Sequence, residues 1–224
     1  MQRMEIDMNL RDIRRNGAAA LSGNWFIAIL ASVVVFVLSL LFTVVANLLT
    51  NGGFVLSNPL LCLTLFLLLS VAELIVMNAV SVGYAEFFLD IADTAKPRLV
   101  TLFAHFNKAG RAIAVTFLVV LRVFIGMIFF VIPGIIAAYK YSMVYYVMAT
   151  NPDLTASEVL RESKYIMRGN KWRLFCLDFS LIGWYFLIGL TFGLASFFVA
   201  PYIQSVHANF FREVECPLVQ KRRR

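Results

Sequence analysis

Charge is scarce in this sequence, and over long stretches it is missing altogether. Only 15% of the 224 residues are Asp, Glu, Lys or Arg, and 61% are hydrophobic. A soluble domain is nearer half apolar and a quarter charged. Histidine is almost missing as well: His105 and His207 stand alone, without a partner at metal-ligand spacing. The three cysteines, Cys62, Cys176 and Cys216, lie far apart. Their spacing supports neither a disulfide framework nor a zinc site. There is no HExxH, no GxSxG, no P-loop and no glycine-rich dinucleotide turn. These absences argue against an enzyme, and no metal or organic cofactor is expected.

What is present is a set of uncharged runs long enough to cross a bilayer. A spanning helix needs roughly 20 apolar residues to match a ~30 Å hydrocarbon core. Hydropathy and the points where charge stops predict spans over about 24–49, 60–89, 112–132, 135–149, 172–190 and 194–211. The expected fold is therefore all-α: a polytopic six-span transmembrane helix bundle forming one membrane domain over 1–224. The first apolar run is too long for the ~7–15-residue core of a signal peptide and reads as a retained span.

The basic residues fix an orientation. Arg3, Arg11, Arg14 and Arg15 precede the first span; Lys96, Arg98, Lys108 and Arg111 follow the second. Arg161, Lys164, Arg168, Lys171 and Arg173 lie around the connection from the fourth to the fifth, and Arg212, Lys221, Arg222, Arg223 and Arg224 follow the sixth. The opposite connections, 50–59, 133–134 and the turn near Gly193, hold none. Lys and Arg are retained on the cytoplasmic side during insertion, so this alternation puts both termini in the cytoplasm. The net charge of +7 then belongs to cytoplasmic loops and does not imply nucleic-acid binding.

Three of the basic segments, over about 5–15, 97–110 and 155–168, are amphipathic and precede outgoing spans. Ile6, Leu10 and Ile13 oppose Arg11, Arg14 and Arg15; Leu99, Leu102, Phe103 and Phe106 follow at helical spacing behind Pro97. Thr155-Ala156-Ser157-Glu158 reads as a capping box ahead of Val159, Leu160 and Ile166. Such helices lie in the membrane interface or connect spans on the bundle surface, and the two roles are compatible. In the first role Arg14, Arg15, Arg98, Lys108, Lys164 and Arg168 meet anionic lipid headgroups, at ~1 kcal/mol each. The expected partners are the bilayer, anionic lipids at the cytoplasmic face and a further membrane protein.

Four charges fall inside the spans: Glu73, Arg122, Lys140 and Asp178. Each costs ~2.5–3.5 kcal/mol at mid-span on an insertion scale. They form either a polar pathway or ligand site, or buried ion pairs and snorkelling side chains that fix helix register. Pro133-Gly134 is expected to make the tight outer turn between the third and fourth spans.

The stretch IPGIIAAYKYSMVYYVMATNPDLTASEVLRESKYIMRGNKWRLFCLDFSLIGW, residues 132–184, carries a resemblance. Its Ile-Pro-Gly, Tyr-Lys-Tyr, Asn-Pro-Asp-Leu-Thr-Ala-Ser-Glu and Gly-Asn-Lys-Trp-Arg elements, with Pro201-Tyr202 and Phe210-Phe211-Arg212-Glu213, resemble an uncharacterised bacterial membrane family, domain-of-unknown-function 975. That family is distantly similar to the membrane domain beside some glycerophosphodiester phosphodiesterases, but no catalytic domain of that kind is present. The resemblance implies a multi-pass protein of the bacterial inner membrane and supplies no active-site residue. The function expected is a non-enzymatic organiser of membrane partners or lipids; the alternative is a small transporter or lipid-handling carrier using the in-span charges.

Overall fold

A computed structural model describes residues 10–51, 59–93 and 95–222. Its elements are ten helices among the described residues. They are α1 (Leu10–Leu21), α2 (Trp25–Asn51), α3 (Pro59–Ala92), α4 (Ala109–Phe129), α5 (Val131–Lys140), α6 (Val144–Thr150), α7 (Ala156–Ile166), α8 (Lys171–Ser180), α9 (Ile182–Leu190) and α10 (Ser196–Arg222). No strand occurs among the described residues. Five segments are long and apolar enough to cross a membrane: Trp25–Leu49, Leu63–Ala92, Leu99–Ile128, Val131–Thr150 and Lys171–Leu190.

The sixth expected span, 194–211, begins just before α10, which is not among those five. Gln204, Ser205, His207 and Asn209 interrupt its apolar sequence. The reason is where the helix sits. α10 packs most closely on α1 and α3, and Val206, Ala208, Phe210 and Phe211 are fully buried. Neighbours supply partners for its polar groups: the Ser205 hydroxyl donates to the Gly17 carbonyl at 2.9 Å, and the Tyr146 hydroxyl donates to Gln204 Oε1 at 3.0 Å.

The core is gathered at one end. α3 has 34 residues, or about 50 Å at 1.5 Å per residue, and among its described side chains the buried ones lie between Asn78 and Ile91. Ile13, Gly17 and Leu21 put one face of α1 on this cluster, and Val159, Leu160 and Ile166 do the same for α7. The capping box forms as read, with the Thr155 N–H donating to the Glu158 carboxylate at 2.8 Å.

Three local expectations change. The segment at 97–110 is not one α-helix but two short 3-10 turns, Leu99–Phe103 and Phe106–Lys108. The Thr101 and Leu102 carbonyls press on Gly83 of α3, closer than any Cβ allows, and the tighter turn keeps Leu102 fully buried at that contact. The His105–Glu86 contact at 2.5 Å ties the second turn to α3. The first amphipathic segment starts at Leu10 among the described residues; 5–9 fall outside them.

The reversal between α4 and α5 falls at Phe130, whose backbone is extended (φ −165°, ψ 153°), and not at Pro133-Gly134. Pro133 and Gly134 sit in the first turn of α5, where an N–H has no intrahelical partner and proline forfeits little. Gly134 serves close packing instead: a Cβ on Gly126 would stand 3.1 Å from the Gly134 Cα. Finally, two expected spans are interrupted. Tyr141–Met143 separates α5 from α6, and a turn at Leu181 separates α8 from α9.

Candidate functional site

α7 is short and amphipathic, and its buried stripe fixes which side faces outward. Arg161, Lys164 and Arg168 stand at i, i+3 and i+7 and share the exposed side. The buried Ser163 hydroxyl donates to the Lys140 carbonyl at 3.2 Å, so the end of α5 is tied to the middle of α7. α8 begins with Lys171 after the turn that follows α7. The three elements enclose a groove of about 420 Å³ lined by Lys140, Arg161, Lys164, Tyr165, Arg168 and Lys171. Its volume falls in the range of small-molecule sites. The lining holds five cations and no carboxylate. Among the described residues, no ion pair is formed by any of the five.

Elsewhere at this end, two arginines are paired with carboxylates. Arg173 reaches the Glu213 carboxylate at 2.5 Å, and Arg212 bridges Asp93 and Glu215. Burial pushes the Glu215 carboxyl up from the ordinary glutamate range, against the opposing pull of Arg212. Hydrogen bonds from Thr155 hold the Glu158 carboxyl below that range.

The in-span charges do not meet. Among the described residues no ion pair joins Glu73, Arg122, Lys140 and Asp178 with one another. Glu73 lines a separate groove of about 280 Å³ between α2 and α3, with Thr43, Asn47 and Ser70. The Arg122 guanidinium lies 5.6 Å from the centre of the Tyr141 ring, and the Lys140 ammonium lies 5.4 Å from the same centre. Both distances permit cation–π attraction. Asp178 contacts His207 at 2.7 Å and lies beside Tyr139. Arg122 and Lys140 thus meet a tyrosine ring and Asp178 a histidine.

The predicted headgroup contacts also divide. Lys164 and Arg168 enter the basic groove. Arg14 and Arg15 stay on α1, and exposed Arg98 precedes the first 3-10 turn. Lys108 is engaged within the chain: it donates to the Pro152 carbonyl at 2.8 Å and lies 3.5 Å from Asp153. Arg111 joins it on the Pro152 and Leu154 carbonyls, at 2.5 and 2.9 Å. Together they hold the connection before α7. Arg161 and Lys171 were visible as basic residues, but no sequence signal singled them out as groove residues, because that depends on how α5 meets α7.

The fold and this site define a helical protein with several helices long and apolar enough to cross a membrane and a concentrated basic groove at one end. Residues 109–216 match the model of a family described as a protein of unknown function (DUF975). The matched stretch contains every residue lining the basic groove. Neither a curated protein nor a solved structure matches the chain.

Proposed function

We propose that this chain is a six-span protein of the bacterial inner membrane, with both termini in the cytoplasm, that gathers anionic lipid headgroups in its basic groove. Its role is non-enzymatic: it organises lipids, and partner proteins that depend on them, at the cytoplasmic face. The observation that carries this reading is the groove lined by five cations and no acid, set between the end of α5 and the amphipathic α7. Basic pockets between spanning helices on the cytoplasmic side suit phosphate-bearing headgroups. The distribution of Lys and Arg supports the orientation.

The transporter alternative draws less support, because Glu73, Arg122, Lys140 and Asp178 are dispersed among different neighbours. The test is lipid retention. The full chain, purified in mild detergent from membranes containing phosphatidylglycerol, should carry that lipid, and Arg161→Gln/Lys164→Gln/Arg168→Gln should lose most of it. Equal retention by the triple variant would remove the proposal, as would turnover of any lipid headgroup by the purified protein in liposomes.

A further inference from the structure

The number and layout of the charges restrict what can occupy the groove. A phosphodiester carries one negative charge. A ligand with one such group offsets one of the five cations and a ligand with two offsets two, so the lining favours the more highly charged ligand. Three of the five form a row. From Arg161 through Lys164 to Arg168, the positions advance along α7 and the turn after it by about 10 Å at 1.5 Å per residue. Lys140 and Lys171 approach from the neighbouring elements. A row of that length has room for two phosphate groups side by side. The half-exposed Tyr165 ring supplies an aromatic wall between the cations.

We propose that the groove binds two phosphate groups of one ligand at once, one toward Arg161 and one toward Arg168. This rests on the headgroup reading above and narrows it. The shared chemistry is a pair of linked phosphates, which a lipid with two phosphodiesters and a soluble pyrophosphate both offer. Linking the phosphates makes the second contact intramolecular, so the pair binds far more tightly than two separate groups.

The experiment compares three probes on the full chain in detergent micelles, with binding followed by fluorescence and by the shift in unfolding temperature. They are cardiolipin, phosphatidylglycerol at matched phosphate, and inorganic pyrophosphate. Cardiolipin should bind with a Kd lower than that of phosphatidylglycerol by about tenfold or more. Excess pyrophosphate should not displace it. Arg161→Gln/Arg168→Gln should bring cardiolipin down to the phosphatidylglycerol level, and Lys140→Gln should weaken it about fivefold, the worth of one cation near a headgroup. Lys164→Gln provides a milder variant should the double one fold poorly.

Equal affinity for cardiolipin and phosphatidylglycerol at matched phosphate overturns the two-phosphate inference and leaves the headgroup reading standing. Pyrophosphate binding as tightly as cardiolipin, and displacing it, supports the paired-phosphate site and overturns its lipid source. Failure of all three probes overturns both.

Discussion

At its basic end the bundle is packed like a soluble domain, and at its other end the helices meet without burying their large side chains. Phe87, Phe88, Phe210, Phe211, Leu102 and Met167 are fully buried where α1, the last turns of α3, α7 and α10 converge. Beyond Ser32 in α2, ahead of Asn78 in α3, beyond Val115 in α4 and throughout α9, no described side chain is buried. Large apolar residues such as Leu68, Phe124 and Phe186 stay more than half exposed there. A lipid setting, as proposed above, would account for the difference. Acyl chains solvate apolar side chains as well as other helices do, so the apolar half gains little from a core. In that setting the basic end would meet water, and the hydrophobic effect would pack it.

The comparison can be broken by substitution. Phe88→Ala should remove about 3–5 kcal/mol, as for a fully buried aromatic, whereas Phe124→Ala should change stability by about 0.5 kcal/mol or less. Unfolding in detergent measures both, and similar losses would show that the two ends are packed alike. Next in size is Arg173→Gln, which leaves the Glu213 carboxylate, only 8% exposed, without its cation. It should cost about 3 kcal/mol, and the apolar pair Arg173→Met/Glu213→Leu should recover most of the loss. A stability series would separate the two variants.

Gly83→Ala drives a Cβ into the Thr101 and Leu102 carbonyls and should cost about 2 kcal/mol. Gly189→Ala, with nothing within 4 Å of the added carbon, should gain about 0.5 kcal/mol through helix propensity. Thr155→Ala removes the cap of α7 and should cost about 1 kcal/mol, with loss of helical signal confined to that element in hydrogen exchange.

The smallest effect is a pH slope. The folded state raises the Glu215 pKa, so it binds the proton more tightly than the unfolded chain does. The contribution of this group is greatest when it is protonated and falls as pH rises from 4.5, the unfolded value, through the raised folded value. Unfolding temperatures of Glu215→Gln and the parent, followed from acid to neutral pH, should converge at the acid end. The variant should be relatively more stable toward neutrality, except for the part that the Arg212 contact returns.

Much of this was legible in the sequence where a signal is local. Long apolar runs mark α2, α3 and the α8–α9 pair, and Thr155 with Glu158 marks the start of α7. The register of α1 follows from Ile13 and its neighbours. Signals that depend on a neighbouring element failed. Leu99, Leu102, Phe103 and Phe106 fit an α-helical stripe, but the close approach of Gly83 selects 3-10 turns. Pro133-Gly134 has the composition of a turn, yet a proline and a glycine serve equally well in a first helical turn packed against Gly126. The sequence leaves the partners of Lys140 unassigned. Its neighbours are decided by the break after α5, which brings it to the cations of α7, while Asp178 finds His207 on a helix whose position spacing alone cannot give.

The lopsided core has a mechanical consequence. A set of rods clamped at one end and free at the other behaves as a cluster of cantilevers. The root is stiff, and the tips yield to sideways load. α4 with α5 and α8 with α9 reach away from the clamp, and the turns at Tyr141–Met143 and Leu181 lie close to it, where bending leverage is greatest. A thinner or more tightly compressed bilayer would splay or close the tips and load those two turns. In the membrane setting proposed above, the basic groove, built on Lys140 at one of them, would feel that strain as a change in the spacing of its cations.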